Sequence, residues 1–188
     1  MYPSRKEAHK ILAEAVPHNP GPWETHSKLV ALCAERIAAE CGLDTDKAYV
    51  CGLLHDIGRR FGVKHLAHTY DGYRYMKELG YDGIAGICLT HSFHNQDIHD
   101  YVGNFDLPPA EFEELQSLLE QVTYNDYDRL IQLCDGIATG EAIVDIEERL
   151  REVQLRYGFF PKKKLDKILE LRAYFEEKMG KDIYAVVV

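Results

Sequence analysis

Apolar residues recur three and four positions apart through most of this chain, and glycine or proline closes most of the runs. That spacing lays one apolar stripe along a helix. No segment sustains the alternation of a half-buried strand, so the expected fold class is all-α. The first helix is expected over residues 4–15. A breaker follows at His18-Asn-Pro-Gly-Pro22. Thr25 can cap a helix to Cys41, which Gly42 stops, and Asp44 one to about Ile57, which Gly58 ends. Residues 59–67 read as a basic loop. Helices are then expected over Thr69–Leu79 and Asp82–Ser92, with a loop from His94 to Pro109. Pro109 suits a helix start, and Asp126 or Asp128 can cap a helix through Ala138. Glu141–Tyr157 and Pro161–Met179 supply two charged amphipathic helices.

These 188 residues suit one domain over 1–188. The spacing of its motifs suggests a core over 20–140 and a C-terminal helical extension over 141–180. The net charge of −9 argues against a nucleic acid polymer as partner, because phosphate backbones reward positive charge. A single nucleotide needs only a local basic patch. No apolar run has the length of a membrane span, and the first residues lack an apolar leader segment. Of the five cysteines, Cys33, Cys51, Cys88 and Cys134 sit in apolar helical stretches, without CxxC spacing. They read as reduced buried thiols, and the expected location is the cytoplasm.

Against this background, residues 53–59 read Leu-Leu-His-Asp-Ile-Gly-Arg. A His-Asp pair alone is weak evidence, since chance supplies roughly 0.7 such pairs in this composition. His99-Asp100, in a polar loop, is assigned to chance. The pair at His55 and Asp56 differs because it ends an apolar helix. Consecutive helical residues diverge by about 100°, so both reach one ion only if it lies beside the helix end. His26 lies upstream, and His68, His91 and Asp135 lie downstream. Imidazole and carboxylate suit first-row divalent metals better than calcium, which prefers oxygen. His65 competes with His68 as a ligand, and His94 with His91.

In this order the residues resemble the HD-domain superfamily of metal-dependent phosphohydrolases, whose ligands run His, then His-Asp, then a distant Asp. His26, His55, Asp56 and Asp135 match. A subset similar to bacterial symmetrical diadenosine tetraphosphate hydrolases adds two histidines, which His68 and His91 resemble. The resemblance covers about residues 23–140. It implies an HD-domain helical bundle holding one or two divalent ions (Fe, Mn, Zn or Co). His26, His55, Asp56 and Asp135 would hold the first, and Asp56, His68 and His91 the second.

The implied activity is hydrolysis of a nucleotide or other small phosphate ester by a metal-activated hydroxide. Asp56 and Arg59 are the expected catalytic residues. Related enzymes often carry lysine three positions after the Asp, where this chain has Arg59, and a guanidinium binds phosphate in a bidentate manner. Arg60, Lys64 and His65 are further candidate substrate contacts. Lys162-Lys163-Lys164 reads as a solvated helix start. Tyr70, Tyr73, Tyr75 and Tyr124 could wall a pocket, with ordinary packing the simpler reading. The alternatives are a di-iron oxygenase of the HD type and a metal-binding sensor module without turnover. Oligomeric state is not legible.

Overall fold

The computed structural model describes all 188 residues. It is all-α. Ten helices run α1 Arg5–Ala15, α2 Trp23–Glu40, α3 Thr45–Leu54, α4 Ala67–Glu78, α5 Asp82–Thr90, α6 Pro109–Gln121, α7 Asp126–Ile137, α8 Ile146–Tyr157, α9 Lys162–Met179 and α10 Tyr184–Val187. Short 3₁₀ turns occupy Val16–His18, Ile57–Phe61 and Ile98–Asp100. The one β-type contact is an isolated bridge between Ala138 and Ile143. No helix is long and apolar enough to cross a membrane.

Local chemistry sets most boundaries. Ser4 and Glu7 form a reciprocal capping box at α1. Asp44 caps α3 by accepting from the Lys47 N–H at 2.9 Å. Four starts differ from expectation, the first being α4, which begins at Ala67, two residues before Thr69, behind a 3₁₀ turn in the expected loop. Pro22, not Thr25, precedes α2, because a proline without an N–H suits a helix entrance. Asn125, not Asp126 or Asp128, caps α7, with Asp128 answering as the third residue of a capping box. Residues 138–143 are spent on a turn held by the Thr139 hydroxyl, so α8 begins at Ile146 behind an Asp145 cap. The short α10 was not expected; four residues are too few for a periodic signal.

Two close approaches bring the helices together. A Cβ on Gly52 would stand 2.7 Å from the Cα of Ala31, so α2 and α3 meet backbone to backbone. A Cβ on Gly58 would lie 2.0 Å from the His68 carbonyl oxygen, so the turn after α3 lies directly on α4. The main apolar cluster joins α1, α2, α3, α5 and α7 with Ile168, Leu171 and Phe175 of α9 and Val187 of α10. A smaller cluster seats Leu115 and Leu119 of α6 against Leu66, Tyr70 and Phe93. Burial of a side chain such as Phe175 contributes about 2–3 kcal/mol. All five cysteines are free, and Cys33, Cys51, Cys88 and Cys134 are buried.

Candidate metal centre and its cavity

The α3 helix stops at Leu54, earlier than the sequence suggests. His55 becomes its C-cap, and Asp56, at φ −102° and ψ 15°, opens the 3₁₀ turn. This break resolves the divergence of neighbouring helical residues, because His55 and Asp56 now point to adjoining places. His26 sits in the first turn of α2, His68 at the start of α4, His91 at the C-cap of α5 and Asp135 in the last turns of α7. Five chain segments thus deliver six side chains to one region beside the α3 end.

Backbone carbonyls hold each imidazole by its Nδ1. His55 donates to the Gly52 carbonyl at 2.7 Å, His91 to Cys88 at 2.9 Å and His26 to Thr139 at 3.2 Å. His68 donates to the His65 carbonyl. A neutral imidazole carries one hydrogen, so every Nε2 presents a lone pair. Those lone pairs converge. His55 Nε2 stands 3.3 Å from His26 Nε2, and His68 Nε2 stands 3.1 Å from His91 Nε2. Two acceptors facing each other cannot hydrogen-bond.

The carboxylates complete two groups. His26, His55 and Asp135 form one, and Asp56, His68 and His91 form the other, with the donor atoms of each within 4.8 Å of one another. His26 Nε2 lies 3.0 Å from Asp135 Oδ1, and His68 Nε2 lies 3.0 Å from Asp56 Oδ1. Asp56 Oδ1 is buried without a hydrogen-bond partner. Although it lies close to His68, the His68 hydrogen is engaged on Nδ1. Asp56 therefore groups with His68 and His91. Its other oxygen is 4.0 Å from His55 Nε2 and accepts from Arg59 Nε at 2.5 Å. A shared role for Asp56 requires Arg59 to yield that oxygen.

Electrostatics keep most of these donors in the form that ligates. Burial pushes the His55 imidazole down to about 4. Burial and the Arg59 charge also lower His68. Burial alone would raise both carboxylates. Arg59 and His68 overcome it at Asp56, and His26 overcomes it at Asp135, leaving both acids well below the usual carboxylate range. Burial opposes a charge on His26 as well, but the Asp135 carboxylate beside it prevails and raises it. Inward lone pairs, an orphaned carboxylate oxygen and Nδ1 hydrogens fixed on carbonyls are the donor set that a divalent transition metal requires.

Five of the six residues, all but His55, line the floor of a cavity of about 410 Å³. Trp23, Arg59 and Tyr101 wall it. Arg149, Leu150, Arg156 and Tyr157 of α8, Phe160, and Lys164 and Ile168 of α9 roof it. Arg59 is the one proposed substrate contact in the wall. Arg60, Lys64 and His65 are not among the cavity's lining residues. The Arg60 guanidinium stacks 4.3 Å over Tyr75, and Lys64 pairs with Asp71 at 2.6 Å. The His65 backbone N–H donates to Asp106 at 2.7 Å, and its ring stands edge-on to Tyr157 with centroids 6.4 Å apart. The tyrosines at 70, 73, 75 and 124 pack outside the cavity, and Tyr101 and Tyr157 line it instead.

Two further lining residues differ from the sequence reading. His94, weighed only as a rival of His91, is buried in the cavity lining outside both metal-type groups. Lys164, expected in a solvated run, is 8% exposed, while Lys162 and Lys163 beside it face water. Its place in the run carried one usable signal: Lys164 is four residues before Ile168 and seven before Leu171, on the apolar stripe of α9.

A family model described as HD domain matches residues 9–140. The match spans well over half of the sequence, and the chain belongs to the HD-domain family. The HD domain of the L. monocytogenes phosphodiesterase PgpH is a similar solved structure. It is 18% identical with a TM-score of 0.48, and the match covers 87% of this chain and 95% of that one. The same domain in complex with Cyclic-di-AMP gives 19% identity and a TM-score of 0.48, covering 90% and 96%. No curated protein gives a significant match.

Proposed function

We propose that this protein is a metal-dependent hydrolase of small phosphate esters, with a nucleotide as the expected kind of substrate. The supporting observation is that two His/Asp donor groups and Arg59 meet at one cavity of about 410 Å³. His26, His55 and Asp135 would hold one divalent ion and Asp56, His68 and His91 another. Bound there, such ions supply a hydroxide at neutral pH and neutralise phosphoryl charge. The backbone carbonyls under each imidazole fix its tautomer and direction. Asp56 holds Arg59 at the centre's edge, where the guanidinium can pass from carboxylate to phosphate oxygen. Trp23, Tyr101 and Tyr157 give the cavity aromatic walls against which a base or sugar can lie. The free buried thiols suit a reducing compartment, and we place the protein in the cytoplasm.

The test is phosphate release from a panel of nucleotides and sugar phosphates with Mn, Fe, Co or Zn added. Asp56→Asn should lower the rate about a hundredfold or more. Absence of release from every ester, with every metal, defeats the reading.

A further inference from the structure

Of the four cations that line the cavity, three are paired with carboxylates. Arg59 is bound to Asp56, and Arg149 and Arg156 are both bound to Glu152. Lys164 has no carboxylate partner. Its Nζ donates to two backbone carbonyls, Ser92 at 2.8 Å and Asp100 at 3.3 Å. The Asp100 side chain is turned away, accepting from Asn95 at 2.6 Å. An ammonium has three hydrogens, so one is left over. Asp135 and Asp100 act on this charge only from beyond contact distance, and a buried cation without a contacting counter-ion is costly unless something anionic comes to it.

His94 lines the same cavity and lies near enough to feel the Lys164 charge. Its Nε2 hydrogen goes to the Gln132 carbonyl at 3.2 Å. Its Nδ1 is buried and has no partner. Within one cavity wall, then, stand a donor without an anion and an acceptor without a donor. Neither belongs to the two metal-type groups, and Lys164 lies beyond the family-matched residues.

We propose that Lys164 and His94 form a substrate-recognition subsite, in which the ammonium takes an anionic oxygen and His94 Nδ1 accepts a hydroxyl or amino hydrogen from the same molecule. The ligand class is a phosphate ester bearing a polar hydrogen near its phosphate, as in nucleotides and sugar phosphates. Identifying the anion as phosphate rests on the hydrolase reading; the subsite itself does not. Lys164 is a binding residue, and no bond is made or broken there.

Trp23 is the single tryptophan of the chain and lies in the cavity wall, so its fluorescence reports binding directly. Two probes are titrated into the purified protein: inorganic phosphate, and the phosphonate analogue of adenosine monophosphate, whose P–C bond resists hydrolysis. Lys164→Gln should weaken both roughly tenfold or more, and Lys164→Arg should recover most of the loss. His94→Phe should weaken the phosphonate several-fold and leave inorganic phosphate within about twofold. Thermal melts establish that each variant is folded.

Should Lys164→Gln not fold, acetic anhydride labelling of the wild type replaces it. Saturating phosphate should slow labelling of Lys164 and leave Lys162 and Lys163 unchanged. Equal phosphate binding by wild type and Lys164→Gln, or no protection of Lys164, overturns the proposal and leaves a lysine that merely staples α9 to residues 92–100. Lys164-dependent binding without turnover of any ester sinks the hydrolase reading alone. Turnover with an unchanged KM in Lys164→Gln sinks this subsite alone.

Discussion

His68 Nε2 and His91 Nε2 face each other at 3.1 Å with both of their hydrogens committed to backbone carbonyls on the far side of the rings. Like poles this close repel unless a cation lies between or beside them. Added Mn, Co or Zn should therefore raise the melting temperature of chelator-treated protein, through binding linkage of about 3 kcal/mol at a hundredfold excess over Kd. His68→Ala and His91→Ala should each remove much of that gain. Differential scanning calorimetry with and without metal decides the matter, and an unchanged melting temperature would speak against a metal at these residues.

Gly58 lies against the His68 carbonyl, with 2.0 Å available where a Cβ needs more than 3 Å. Gly58→Ala should force the 57–61 turn away from α4 and cost about 2–4 kcal/mol. It should also weaken metal binding, because His55, Asp56 and His68 straddle that contact. Urea unfolding and a metal titration of the variant read the two effects separately. Full stability in Gly58→Ala would mean that the turn has room to move.

Phe175 of α9 is fully buried within the cluster that also contains residues of α2, α3 and α7. Phe175→Ala should lower stability by about 3–5 kcal/mol. The loss should appear in one cooperative transition, followed together by circular dichroism and Trp23 fluorescence. Two separated transitions would mean that the C-terminal helices unfold on their own.

Burial pushes the Lys164 amine down to about 8, against the pull of Asp135 and Asp100. In the unfolded chain the amine returns to its ordinary value near 10.5. Between those values the unfolded chain binds a proton that the folded chain lacks, so stability from this group rises with pH across the window. The upper limit is about 3 kcal/mol. The stability of wild type relative to Lys164→Met should therefore grow from pH 8 to pH 10.5. Urea midpoints at three pH values test the slope, and parallel curves would show that Lys164 titrates normally.

The helices were legible where one residue type decides a boundary, as Asp44 and Pro109 do. They were less so where neighbours compete: Pro22 displaced Thr25, and Asn125 displaced the two aspartates after it. The six proposed metal-holding residues could be named because His-Asp at 55–56 and the spaced partners form an ordered pattern. What the pattern could not convey was the break in α3 that turns His55 and Asp56 together, or the Arg59 contact that draws Asp56 toward one group. Lys164 was misread because composition sees three lysines, whereas the fold distinguishes them by angle about the α9 axis. His94 was misread because a predicted helix end says nothing of the α7 carbonyl that receives its hydrogen.

The ceiling over the histidines is one continuous stretch of chain, separate from the segments that build the floor. On the proposed function, a change in α8 or α9 would alter which molecule is admitted while leaving all six metal-type side chains in place. The stretch that would choose the guest thus lies outside the family-matched residues 9–140, and the stretch that would hold the ions lies within them.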